Sequence, residues 1–290
     1  MFASVDAAIS SLERQIRKNK TRLEKKIHTE LLSMLNNERE KYEKFFENFG
    51  LQLKYGLYSD YGMHRDVLQD LVLFPSSFEK KPVTLAEYVS RMKEGQKYIY
   101  YACGETAEKA AALPQTEAVT EQGYEILYLT ADVDEFALKI LHAYEEKEFK
   151  SVSSGDLGFD LPEEEKSEPT DEQKSLFEAM TAALDGKVAK VRASKRLKTH
   201  PVCLTSEGEV SLEMEKVLNA QPGEQKVKAE RVLEINENHP IYAKLTAIRD
   251  DADRVKAYTE LLYGQALLIE GMSVEDPVAF SNTLCDLLSK

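Results

Sequence analysis

The side chains best suited to chemistry are few and scattered. Three cysteines, Cys103, Cys203 and Cys285, lie far apart and form no Cys-x-x-Cys pair. An odd count without such pairs fits a reducing compartment and speaks against both a disulfide framework and a zinc site. The five histidines, His28, His64, His142, His200 and His239, have no metal-ligand spacing to one another and read as solvated or hydrogen-bonded structural groups. Asp132 and Asp134 precede a helical pattern, where carboxylates serve as caps more readily than as an acid–base dyad. Gly186-Lys187 lacks the upstream glycine and the following Ser/Thr of a phosphate loop, and no Gly-x-Gly-x-x-Gly or Gly-x-Ser-x-Gly occurs. The expectation is therefore no catalytic residue and no metal ligand.

Charge narrows the choice of partners. The chain carries a net charge of −13, with 42% hydrophobic and 31% charged residues. Residues 1–26 hold seven Lys/Arg against three Asp/Glu, a net +4, which leaves −17 on the remainder. Arg14, Arg17, Lys18, Lys20 and Arg22 allow an alternative reading as a ribosome-associated or RNA-binding helix. The acidic remainder would repel a phosphate backbone, so no nucleic-acid partner is expected. No apolar run approaches the ~18 residues of a membrane span, and the first residues lack the pattern of a secretory signal. No membrane partner and a cytoplasmic location are expected.

The elements follow from spacing. Residues 2–47 read as nearly uninterrupted helix: Val5, Ile9, Leu12, Ile16 and Leu23 form a heptad-like stripe, which Ile27, Leu31 and Met34/Leu35 continue with shifted phase. Phe45, Phe46 and Phe49 should be buried. Val67 to Phe74 reads as a short helix closed by Pro75. Between Thr84 and Val152 helices and strands alternate, with strands at Lys97–Ala102, Tyr124–Leu129 and Phe149–Val152, so a small, mostly parallel sheet with helices on its faces is expected. Residues 155–169, with two Gly, two Pro and the acidic run Glu163–Glu165, read as a linker. Thr170 and Gln173 form a capping-box signature opening the next unit, which has strands at Val188–Leu197, Val202–Thr205 and Val232–Ile235. The fold class is mixed α+β and α/β: a long N-terminal helix and helical coil, a small αβα sandwich, then an α+β unit ending in a helical bundle. The expected domains are 1–26, 27–154, linker 155–169, and 170–290.

Two features point to protein contact. Val210, Met214, Val217 and Leu218 share one face of a short helix, Val210–Ala220, whose other face carries Glu209, Glu213 and Lys216. Gly208 and Pro222-Gly223 bound it, so it is expected to stand away from the body. The last two helices, Ala252–Glu270 and Pro277–Ser289, carry more apolar residues than a domain of ~120 residues needs, which suggests an obligate interface. Leu261, Leu262, Leu268, Phe280, Leu284, Leu287 and Leu288 are its candidates, and Gly264 would permit a close helix crossing.

Several stretches resemble the heat-shock protein 90 family, bacterial members in particular: KYEKFFENFGLQLKYGLYSD at 41–60, DVLQDLVLFPSS at 66–77, EYVSRMKEGQKYIYY at 87–101, DVDEFALKI at 132–140, VLEINENHP at 232–240 and LLYGQALLIEG at 261–271. The resemblance covers roughly residues 25–290 and implies the end of the family's middle domain followed by its C-terminal dimerisation domain. It implies a homodimer that binds unfolded or partly folded client proteins, with Phe136, Val210, Met214, Val217 and Leu218 in client contact. The family's ATP-binding domain and the arginine loop that contacts ATP have no counterpart in these residues. No ATP hydrolysis and no cofactor are therefore expected of the chain, ATP and magnesium belonging to the full-length family. Residues 2–26 resemble instead a helix of the ribosome hibernation promoting factor family, which implies a chimera with a foreign helix spliced on.

Overall fold

The computed structural model describes the backbone of residues 2–59, 61–159, 170–222 and 226–289, and side chains from Glu13 onward except Ile16. Helix α1 (Phe2–Asn37) runs unbroken through residues 22–29, and α2 (Arg39–Ser59) follows it. Glu38 belongs to neither, so the nearly uninterrupted helix expected over 2–47 is interrupted there. Asn36 and Asn37 are poor helix formers, and Arg39 turns outward to the Pro82 carbonyl and the Glu87 carboxylate. The stripe at Val5, Ile9, Leu12 and Ile16 lies outside the described side chains. Its continuation, Leu23 and Ile27, is exposed.

Helix α2 faces inward through Tyr42, Gly50, Lys54 and Leu57. Phe45 and Phe46 are half-buried, but Phe49, expected inside, is exposed and stacks on Phe45 with ring centroids 5.2 Å apart. The two rings sit one turn apart on the flank of the helix, beside the inward row rather than on it. The expected helix over Val67–Phe74 is also corrected: α3 covers only Arg65–Leu68, and Phe74–Pro75 is a strand, β1, antiparallel to β2 (Pro82–Val83). Leu71 and Leu73 join one apolar cluster and Val72 and Phe74 another. That two-residue alternation belongs to an extended chain, not a helix.

The capping box of Thr84 and Glu87 starts α4 (Leu85–Ser90). A four-stranded sheet follows, built from β3 (Tyr98–Cys103), β4 (Ile126–Leu129), β5 (Ala143–Tyr144) and β6 (Lys147–Ser151) in the order β4-β3-β6-β5. β3 pairs in parallel with β4 and β6, and only β5 is antiparallel. Ile99, Tyr101, Leu127 and Leu129 point to one face, covered by α2, α4 and α7 (Asp134–Leu141). Tyr100, Ala102, Ile126 and Tyr128 point to the other, covered by α5 (Ala107–Ala111), a 3-10 turn at Pro114–Thr116 and α6 (Glu117–Glu121). Asp134 is not the cap expected of it. Val133 holds that position, while the Asp134 carboxylate accepts from the Thr130 and Ala131 amides and pairs with buried Lys54 at 2.8 Å.

Thr170 and Gln173 close the expected capping box at α8 (Asp171–Ala183). A three-stranded sheet, ordered β7-β9-β8, combines β7 (Lys190–Ala193), β8 (Val202–Glu207) and β9 (Glu230–Ile235), with α9 (Leu212–Ala220) between the last two. Helices α10 (Pro240–Ala247), α11 (Ala252–Ile269) and α12 (Pro277–Leu288) end the chain. Met180, Val202, Leu204, Leu233, Leu245 and Leu262 lie in one core between this sheet and helices α8, α10 and α11. Of the expected linker, the described residues 155–159 are anchored: the Gly155 amide donates to the Ser206 carbonyl, and the Leu157 carbonyl accepts from Tyr100 Oη at 2.8 Å. The acidic run Glu163–Glu165 lies outside the described residues.

Candidate functional site

Two surfaces gather the residues singled out by sequence. The first forms where α7 and α9 meet. Phe136 on α7 is half-buried and packs edge-on against Tyr58 of α2, centroids 5.7 Å apart. Its neighbour Glu135 turns inward and accepts from Tyr101 Oη at 3.0 Å and from Ser211 Oγ at 2.5 Å. Ser211 is the N-cap of α9, so one buried carboxylate ties the start of that helix to α7. Burial pushes the Glu135 carboxyl up, against the pull of these two hydrogen bonds. Lys139 adds a second tie, donating to the Glu209 carbonyl.

Helix α9 does not stand free as expected. Leu212 and Glu215 point inward, and Glu215 pairs bidentately with Arg231 while accepting from the Ala229 amide. Asn219 clasps both the amide and the carbonyl of Val227, and Lys216 reaches the Glu270 carbonyl at 3.1 Å. Met214, Val217 and Leu218 remain half-buried on the opposite flank, and Val210 packs against the core of its own unit.

A polar joint lies behind this surface. Glu234, near the C-terminal end of β9, takes Arg192 at 2.6 Å and Arg196 at 3.0 Å, together with Ser194 and Thr205. Burial alone would raise its pKa, but the two guanidinium groups outweigh burial and hold it below the usual carboxylate range. Arg196 spends its remaining donors on the carbonyls of Val152 (2.6 Å), Ser154 (2.8 Å) and Gly155 (3.2 Å). On the other side Glu117 accepts from the Lys198 and Thr199 amides and sits 2.7 Å from His200 Nδ1. Gln115 donates to the Leu204 carbonyl and to the Glu270 carboxylate. Glu270 is buried, which lifts its pKa to about 7; Gln115 and Lys216 pull the other way and Glu213 adds to the rise. Sequence reasoning missed these groups. The one available signal was Glu234 itself: a charge inside a buried apolar strand requires a cation beside it.

The second surface is the C-terminal pair of helices. Leu262 is corrected from interface to core: it is 4% exposed inside its own chain, because it lies on the sheet-facing side of α11. Phe280 lies over Gly264, where a Cβ would come within 2.7 Å of the ring, so the close crossing expected at Gly264 joins α11 to α12. Leu261, Phe280 and Leu287 are half-buried, whereas Leu268, Leu284 and Leu288 are exposed, the last at 79%. No residue of α12 is buried.

Cys103 and Cys203 are enclosed thiols whose pKa burial raises, and all three cysteines are free. Among the described residues no group of His, Cys, Asp and Glu is placed to hold a metal ion, and no helix is long and apolar enough to cross a membrane.

The geometry is that of a mixed α and β protein that presents partly covered apolar side chains on its helices. The chain belongs to a chaperone family, the Hsp90 proteins, whose family description matches residues 11–290. It is 60% identical over 279 residues to the chaperone protein HtpG of Halalkalibacterium halodurans, covering 96% of this chain and 45% of that protein. It is 58% identical over 277 residues to the HtpG of Clostridium acetobutylicum, covering 95% and 44%. The chain thus spans less than half the length of these relatives. The HtpG of one Clostridium botulinum strain aligns over 98% of the chain at 57% identity. The family match takes in residues 11–26, so the expectation of a foreign N-terminal helix finds no support in these relatives.

Proposed function

We propose that this chain supplies client binding and homodimerisation to an Hsp90-type chaperone, and that ATP and magnesium act on the part of the full-length protein outside these residues. The observation that carries the reading is that the buried Glu135 carboxylate ties the N-cap of α9, whose Met214, Val217 and Leu218 are half-buried, to α7, which carries the half-buried Phe136. A chaperone that holds varied unfolded chains needs apolar groups that are only partly covered and adaptable. Methionine suits that task because its thioether is flexible and polarisable. The dimer would form through α11 and α12, where Leu268, Leu284, Leu287 and Leu288 would meet their copies across a two-fold axis.

The test is the double replacement Met214→Ser/Leu218→Ser. Fully buried side chains of this size cost ~2–5 kcal/mol each when truncated. Half-covered ones cost much less, so the melting temperature should shift by only a few degrees while suppression of aggregation of an unfolded model protein falls. A collapse of the melting temperature, or unchanged holding activity, would return both residues to the core.

A further inference from the structure

We infer that the client surface extends from Phe136 along the exposed flank of α2, and that Leu51, Tyr55 and Tyr58, with Tyr61 and Met63 in the turn that follows, take up a further length of an unfolded client polypeptide. This inference rests on the client-binding reading above. Leu51, Tyr55 and Tyr58 stand at i, i+4 and i+7 on one flank of α2, each close to half exposed. Tyr61 is 89% exposed and Met63 79%. The strip abuts α7 at two points: Tyr58 meets Phe136 edge-on at 5.7 Å, and Gly62 lies so close to Ile140 that a Cβ there would come within 2.9 Å of its Cγ2. Phe136 and Ile140 are one turn apart on α7, so the strip continues the candidate client face without a gap.

Its composition argues for the occupant. Residues 48–64 contain two charged side chains, Lys54 and Asp60, where a chain that is 31% charged would place about five. Lys54 is turned inward to Asp134. The exposed side chains are the apolar Phe49, Leu51, Tyr55, Tyr58, Tyr61 and Met63 together with the polar Asn48, Gln52, Ser59 and His64; aromatic and thioether groups are enriched in protein-binding patches, from whose centres charges are depleted. A strip of about two helical turns on α2, continued through Tyr61 and Met63, fits an extended segment with alternating apolar side chains. The α12 face, by contrast, is compact and suited to a second copy.

The experiment uses the 290-residue chain and a fluorescently labelled, reduced and carboxymethylated lactalbumin as a permanently unfolded probe. Leu51→Gln/Tyr55→Gln keeps good helix formers at half-exposed positions. Probe dissociation, read by anisotropy, should weaken about tenfold, in line with losing two contacts of a binding surface. A change of less than twofold, with Met214→Ser/Leu218→Ser still weakening the probe, would confine client contact to α7 and α9 and overturn this inference alone. No change in either variant would remove the client reading as well. A photoreactive p-benzoylphenylalanine at position 55 should crosslink to the probe in the otherwise intact chain. Crosslinking only to a second copy would make the strip a self-association surface and overturn the inference. Crosslinking to the probe would uphold it even if the glutamine variant folded poorly.

Discussion

Glu270→Gln should stabilise the protein at alkaline pH and leave it nearly unchanged in mild acid. Glu270 is buried at the joint between the two sheets, with Gln115 beside one carboxylate oxygen, Lys216 as the nearest cation and Glu213 as a like charge. Burial raises its pKa from 4.5 to about 7. Between those values the unfolded chain has released a proton that the folded chain still holds, so stability falls as pH rises across that window. At ~1.4 kcal/mol per tenfold change in proton affinity, the full loss above neutrality is about 3 kcal/mol. Glutamine cannot ionise, and its amide can donate to Gln115 Oε1, a buried acceptor with no partner among the described residues. Urea unfolding followed by circular dichroism at pH 5 and pH 8 would read the difference. The variant should gain ~2–3 kcal/mol over the parent at pH 8 and much less at pH 5. Glu135, also raised by burial, is common to both proteins and cancels. Equal stabilities at both pH values, or a parent that gains on the variant as pH rises, would show that Glu270 is already ionised in acid and the argument is wrong.

The other predictions concern the joint and the terminal helices. Arg196→Met removes donors to three carbonyls and one of two cations beside Glu234; the melt should show ~3 kcal/mol of destabilisation, the low end for a broken buried pair because Arg192 remains. Lys54→Met strands the Asp134 carboxylate, which is fully buried, and should cost ~3–5 kcal/mol in urea unfolding. Deleting residues 277–290 should convert the proposed dimer to monomers by light scattering; a truncated chain that stays dimeric would place the interface elsewhere. Gly264→Val puts carbon into the Phe280 ring and should weaken the dimer on dilution by displacing α12.

Local patterns reached the elements whose partners are close in sequence. The Thr170/Gln173 capping box, the parallel order of the first sheet and the ends of α11 and α12 follow from caps and periodicity that act within a few residues. The errors fall where a short apolar run has no period of its own. Leu71–Phe74 could be helix or strand until α2 and the sheet take alternate side chains from it. The joint was illegible for a different reason: Gln115 and Glu270 are 155 residues apart, and Glu117 and His200 are 83 apart. Each looks like an ordinary surface polar residue until the fold brings its partner beside it, and Gln115 and Glu270 lose their water as well.

The same reasoning explains the half-correct reading of α9. Its apolar stripe was visible, but the inward side includes Glu215, which is buried only because Arg231 and the Ala229 amide meet it there. The inward face of the helix, Leu212 and Glu215, is thus its anchor, and Met214, Val217 and Leu218 on the opposite face stay half-covered. Glu135 then couples that anchor to α7, so Phe136 and the α9 flank cannot move apart without breaking the hydrogen bond from Ser211 to a carboxylate held out of water. If α7 and α9 hold clients as proposed, client contact and the geometry of the joint are one property of the chain: a substitution that loosens the joint should weaken holding even when every proposed apolar contact residue is intact.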